Sequence, residues 1–127
     1  MALIENVTPI LRVEDIEASR HYYMQTLGFS LDWDAGTMIS VSRDGKSIML
    51  CQGAQGHPGT WVWIGVEDAD AFFAEFVKNG AHIHSSPQNF AWAYEFAVKD
   101  PDGHVLRFGG EPRPAHPNIS SRIAPAV

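Results

Sequence analysis

Trp61 and Trp63 stand two residues apart in an otherwise apolar run, Trp61-Val62-Trp63-Ile64-Gly65-Val66. Successive side chains of a strand take opposite faces. If Val62, Ile64 and Val66 pack inward, both indoles project from the other face, where they can stack on a flat or cationic ligand. His82 and His84 share a face of a short strand, but no third histidine or carboxylate pair accompanies them. We read them as surface histidines rather than metal ligands. His104 is assigned to turn polarity, His57 to a linker, and His21 to an exposed helix face. Cys51 reads as a buried, inert thiol. No Ser-His-Asp arrangement, phosphate loop or Cys-x-x-Cys is present.

The composition narrows the class. The 127 residues carry a formal charge of −6 and an estimated pI of 5.4, with 45% hydrophobic residues, enough for a real core. No basic patch exists to neutralise phosphates, which argues against nucleic acid as a partner. We read the acidity as solubility, with attraction of a cationic ligand as the second reading. One cysteine permits no internal disulfide. Without a leader or an apolar run near 18 residues, no membrane association is expected, and the cytoplasm is the expected compartment.

The elements that position the tryptophans come in two copies. Val13-Glu14-Asp15 recurs as Val66-Glu67-Asp68, 53 residues on. Each triplet follows an apolar run and opens a helical pattern that ends at a glycine, Gly28 or Gly80. Residues 5–13 read as the first strand. Ile16, Tyr23 and Leu27 share a helical face, and 29–33, 37–42 and 46–52 read as strands with turns at Asp34-Ala35-Gly36 and Asp44-Gly45. Residues 53–60 are a glycine-rich linker. The second copy has a strand at 60–66, then a helix burying Ala69, Phe72, Phe73, Phe76 and Val77. Strands at 81–85, 90–99 and 105–109 follow. The expected fold class is α+β: two β-α-β-β-β modules, about 4–52 and 60–110, within one domain spanning 1–112. Residues 113–127 form a proline-rich tail read as extended or disordered.

Leu11-Arg12-Val13-Glu14-Asp15, Tyr22-Tyr23, Leu27-Gly28-Phe29, Val66-Glu67-Asp68 and Asp100-Pro101-Asp102-Gly103 together resemble the vicinal oxygen chelate superfamily. That superfamily includes glyoxalase I, ring-cleaving dioxygenases and bleomycin-resistance proteins. The resemblance covers residues 4–110 and implies curved sheets around a cleft. It places the family's metal-ligand positions at Thr8, Leu50, Trp61 and Arg107. Threonine is a weak ligand, leucine and tryptophan are none, and arginine is permanently charged. The family metal site is therefore expected to be absent, with no cofactor, and the chain is expected to stand closest to the metal-free bleomycin-resistance branch.

The same resemblance sets Glu95 and Ala97 beside Arg107 on the helix-free face, and strand parity adds Arg12. Such a cluster is either a buried ion pair that fixes the cleft or a polar anchor for a ligand. In this register Trp92, Tyr94 and Phe96 face the second helix. In the alternative register they line the cleft and Glu95 points away. The expected function is a homodimer that sequesters an aromatic or cationic small molecule, with Trp61, Trp63, Trp33, Arg12, Leu50, Glu95 and Arg107 as ligand-binding residues. The alternative is a glyoxalase-like lyase or isomerase, or a dioxygenase-type enzyme. A metal-free lyase or isomerase would use Glu95 as base and Arg107 as oxyanion partner.

Overall fold

Asp15 and Asp68 start the two helices. The Asp15 carboxylate accepts from the amides of Glu17 at 3.1 Å and Ala18 at 3.2 Å, and that of Asp68 accepts from Ala71 at 3.0 Å. Each satisfies donors that a helix N-terminus leaves bare. Gly28 (φ 75°) and Gly80 (φ 82°) take the left-handed conformation that ends them.

The computed structural model describes residues 2–114, which form two compact units. The first unit holds the chain up to Thr60 together with the turn Asp100–His104; the second holds Trp61–Lys99 and the chain from Val105 on. The first module runs β1 (Ile10–Arg12), α1 (Ile16–His21), β2 (Ser30–Asp34), β3 (Met38–Arg43) and β4 (Lys46–Cys51). The second runs β5 (Trp61–Gly65), α2 (Ala69–Lys78), β6 (His82–Asn89), β7 (Tyr94–Lys99) and β8 (Val105–Gly110). The sheet orders are β1-β4-β3-β2 and β5-β8-β7-β6. In each, the first strand lies parallel to the last and the other pairs are antiparallel. This is the α+β, twice-repeated β-α-β-β-β fold that the sequence predicts.

Each module buries one sheet face. In the first, Leu11, Leu50 and Ile39 stand in register across three strands and are almost wholly buried, with Ile16, Tyr23 and Leu27 from the helical segment. In the second, Phe96 and Phe108 stack at 5.3 Å, and Phe76 of α2 meets them edge-on at 6.0 and 5.0 Å.

The structure departs from the expected elements at several points. The strand expected over 5–13 is only Ile10–Arg12, and Leu3, Ile4 and Val7 are exposed. Pro9 has no N–H to give a ladder; only its carbonyl pairs, accepting from Met49 at 3.0 Å. The first helix changes to a π turn at Tyr22–Thr26, closed by the Leu27 amide on the Tyr22 carbonyl at 3.0 Å. The strand expected at 81–85 continues to Asn89 through two register shifts, one between Ile83 and Ser85 and one between Ser85 and Gln88. Val77, expected in the core, falls on the flank of the Phe72–Phe76 stripe and is exposed.

The turn Asp100–His104 is a buried polar knot, where the sequence implied only a polar loop. Its Asp100 carboxylate accepts from the Tyr23 hydroxyl at 2.9 Å and from the amides of Asp102 and His104, each at 2.9 Å. Asp102 accepts from the Glu14 amide at 2.9 Å and the Ser19 hydroxyl at 3.3 Å. His104 is fully buried; its Nδ1 lies 2.9 Å from the Thr60 amide and its Nε2 lies 2.6 Å from the Arg12 carbonyl. An acceptor at Nδ1 and a donor at Nε2 define the neutral Nε2–H tautomer.

Of the tail, Arg113 and Pro114 are described and 115–127, with His116, lie outside the described residues. Arg113 stacks on Tyr94 at 3.7 Å and pairs with Asp70, while the Asn89 amide brackets its backbone at 2.8 and 3.3 Å.

Burial holds the Asp100 carboxyl above its usual range, opposed by the hydrogen bonds from the Tyr23 hydroxyl and from the His104 and Asp102 amides. Folding thus favours its protonated form. That contribution is full below the unfolded aspartate range and is lost as pH rises through the raised folded value. Asp100→Asn cannot ionise and keeps an acceptor for both amides. It should flatten the pH dependence of stability above the unfolded aspartate range, measured by urea unfolding. Asp100→Ala should instead cost about 1–3 kcal/mol throughout, by stranding the Tyr23 hydroxyl and two amides.

Candidate functional site

The helix-free face of the second sheet carries the chemistry. Val62 and Ile64 stand in register with Leu106 and Phe108 of the core, so Trp61 and Trp63 project from the opposite face, where they are 51% and 48% exposed. Arg107 stands across from Trp63, and Ala97 across from Arg107. Glu95 lies on the same face. Its carboxylate accepts from Arg107 Nη2 at 2.9 and 3.1 Å and from Nε at 3.2 Å. The two side chains are only 11% and 19% exposed. The guanidinium also lies 5.2 Å from the centre of the Trp63 ring. Trp61 meets His84 edge-on at 5.7 Å. Trp61, His84, Phe90, Glu95, Ala97 and Arg107 line a concavity of about 190 Å³.

Gly109 explains how Trp63 lies. A Cβ on Gly109 would come within 2.2 Å of the Trp63 ring. The bare backbone of β8 is thus a bed that only glycine provides. Neither the Gly109 bed nor the His84 contact is in the residue-by-residue expectation. The signal for the first was a glycine at 109 on the face of an indole two residues before Gly65.

Of the residues expected to bind ligand, Trp61, Trp63, Glu95 and Arg107 come together on this face. Arg12, Trp33 and Leu50 belong to the first unit. Arg12 stands beside Cys51, with a buried Nε that has no hydrogen-bond partner among the described residues. Trp33 is 41% exposed and pairs with Ser40. Leu50 is displaced from its expected face: it is fully buried in the row with Leu11 and Ile39. The repeat supplies the reason. Ile10 is the counterpart of Trp63 and pairs with Met49, as Trp63 pairs with Arg107. Met49 therefore holds the position given to Leu50, one residue away and on the other face.

In β7 the structure takes the first of the two registers. Phe96 packs on α2, and the Tyr94 hydroxyl donates to Asp70 at 2.5 Å. Trp92 departs from it. It precedes the strand and stacks on Phe90 at 4.5 Å. The open face of the first sheet carries one unforeseen cluster, in which Asp32 accepts from the hydroxyls of Ser42 at 2.6 Å, Ser40 at 2.9 Å and Ser47 at 3.3 Å. These bonds hold its carboxyl below the usual range.

The family match covers residues 4–108, and the chain belongs to the Glyoxalase/Bleomycin resistance protein/Dioxygenase superfamily. Among solved structures it is similar to TnmS3, an antibiotic binding protein from Streptomyces sp. CB03234, with a TM-score of 0.77 and 23% identity over 87% of this chain and 98% of that one. It is also similar to the bleomycin-binding protein of Streptomyces verticillus complexed with copper(II)-bleomycin, with a TM-score of 0.69 and 25% identity over 87% and 98%. TioX from Micromonospora sp. ML1 gives 0.75 and 21% over 84% and 98%. No curated protein matches the chain.

The metal of the superfamily's enzymes does not fit the residues here. Arg107 is committed to Glu95, Trp61 and Leu50 offer no lone pair to a metal, Thr8 has only a weakly ligating hydroxyl, and Met49 offers only a thioether. Among the described residues no three His, Cys, Asp or Glu side chains converge to hold an ion.

The Glu95–Arg107 pair makes a separable prediction. Arg107→Ala should cost about 3 kcal/mol, because it leaves a mostly buried carboxylate alone. Glu95→Leu combined with Arg107→Met should recover most of that loss. Urea unfolding of the double-mutant cycle measures it; additive losses would show that the two do not act as a pair.

Proposed function

We propose that this chain is a metal-free small-molecule-binding protein. It acts as a homodimer and sequesters an aromatic or cationic ligand, in the manner of the bleomycin-resistance proteins. The observation that carries this reading is the pair of half-exposed indoles, Trp61 and Trp63, beside a neutralised Glu95–Arg107 pair. Large exposed apolar side chains grouped on one face mark a binding surface. The similarity to an antibiotic binding protein and to a bleomycin-binding protein supports the same class of ligand. The dimer rests on the same exposure: Trp33, Leu3, Ile4 and Val7 add apolar surface that a second copy would cover. Among the described residues no helix is long and apolar enough to cross a membrane.

Glu95 counts against the enzyme reading. Both Glu95 oxygens accept from Arg107, so the carboxylate is held in an ion pair rather than presented as a free base.

Four measurements test the proposal. Static light scattering at micromolar concentration should give a dimer mass, and elemental analysis should find no stoichiometric divalent metal. Trp61→Ala should weaken binding of metal-free or copper(II)-bleomycin, followed by tryptophan fluorescence, at least tenfold, or about 1.4 kcal/mol, while the melt changes little. Val62→Ala should do the reverse, losing roughly 1–3 kcal/mol of stability through a cavity under α2. If Trp61→Ala unfolds the protein and leaves residual affinity unchanged, Trp61 is core and the reading falls.

A further inference from the structure

The end of the second sheet carries a second recess, separate in lining from the one at Trp61 and Arg107. Its volume is about 610 Å³, and Trp63, Trp92, Val66, Glu67, Gly110 and Glu111 lie around it. That size accommodates a drug-sized molecule. The backbone sets its shape. Strands β5 and β8 run parallel with Gly65 opposite Gly109, and the Val66 amide donates to the Gly109 carbonyl at 2.8 Å. A Cβ on Gly110 would sit 2.6 Å from the Val66 carbonyl oxygen. The ends of the two strands therefore leave the sheet in close contact.

That geometry determines the charge. Glu67 lies two residues past Gly65, and Glu111 two residues past Gly109. Parallel register brings two carboxylates to the same rim. Both are exposed, and neither has a hydrogen bond or ion pair among the described residues. The lining contains no lysine, arginine or histidine. Two exposed carboxylates in a lining without a cationic side chain favour a positively charged occupant. The contrast with the first concavity is direct, since its one carboxylate is already neutralised by Arg107.

We propose that this recess is the subsite for the positively charged part of a planar aromatic cation, with Trp63 and Trp92 as walls and Glu67 and Glu111 as counter-charges. It deepens the reading of the chain as a ligand-binding protein and rests on it. It assigns a role to Glu67, the residue of the Val66-Glu67-Asp68 triplet that neither the core nor the helix cap uses.

The test uses two probes with the same ring system and opposite charge, 9-aminoacridine and acridine-9-carboxylate, titrated by calorimetry against the full chain. The cation should bind at least tenfold more tightly than the anion, and 0.5 M sodium chloride should reduce the difference. Glu67→Gln combined with Glu111→Gln should remove most of the preference; both residues are exposed, so the variant should melt with the wild type. Trp92→Ala should weaken the cation severalfold. Equal affinity for the two probes, an unchanged preference in the double glutamine variant, or no binding of 9-aminoacridine at 1 mM overturns the proposal. Failure of the broader reading has a different signature: Trp61→Ala without effect on bleomycin, while the charge preference at Glu67 and Glu111 persists.

Discussion

A guanidinium and a carboxylate can lie among indoles only if each satisfies the other. The Glu95–Arg107 pair meets that condition with two strands already locked in register, Ala97 opposite Arg107 and Glu95 opposite Gly109. The cost of removing both charges from water is offset by three hydrogen bonds and by the adjacent Trp63 ring. The pair in turn constrains its neighbours. The Trp63 ring can lie down only because Gly109 has no side chain, and Ala97 leaves room across from the guanidinium. The open face is therefore a preorganised surface whose polar demands are already met.

The first unit depends on a different kind of satisfaction. A wholly buried imidazole has two nitrogens to pair, and His104 pairs both with backbone, at Thr60 and Arg12. Asp100 answers three donors at once. Nothing in this knot is left for chemistry. It fixes where the π turn, the start of α1 and the end of the linker meet. Gly56 shows the same closeness, since a Cβ there would meet the Arg12 amide nitrogen at 2.8 Å.

The helix caps, the turn at Asp44-Gly45 and the alternation of Trp61 to Val66 were legible because each is decided by neighbours within a few residues. The pairing of Glu95 with Arg107 was legible only through the family resemblance, because no local pattern sets the register of a strand flanked by aromatic residues on both faces. Leu50 went astray for a related reason. In Ile48-Met49-Leu50-Cys51 every side chain is apolar, so alternation carries no signal, and the partner strand decides the face. His104 was illegible because a histidine beside Asp-Pro-Asp-Gly looks like any polar turn until the amides that claim it are seen. The exposed start of the chain was legible in principle: Pro9 withdraws the donor that a longer β1 would need.

The two modules also show where selection by function is to be sought. Their buried rows are near equivalents: Leu11, Leu50 and Ile39 in one, Ile64, Phe108 and Phe96 in the other, all apolar and in matching register. Their open rows share nothing. The first presents Ile10, Met49 and Ser40, with Asp32 gathering three hydroxyls; the second presents Trp63, Arg107 and Ala97. A fold needs only the buried rows to be apolar and of compatible volume, and it tolerates wide change on a face it does not pack. Duplication thus conserves what holds each helix to its sheet and frees the opposite face to diverge. That the divergence ends in tryptophans, an arginine and a glutamate, rather than in ordinary solvated polar residues, is the physical reason to look for a ligand there.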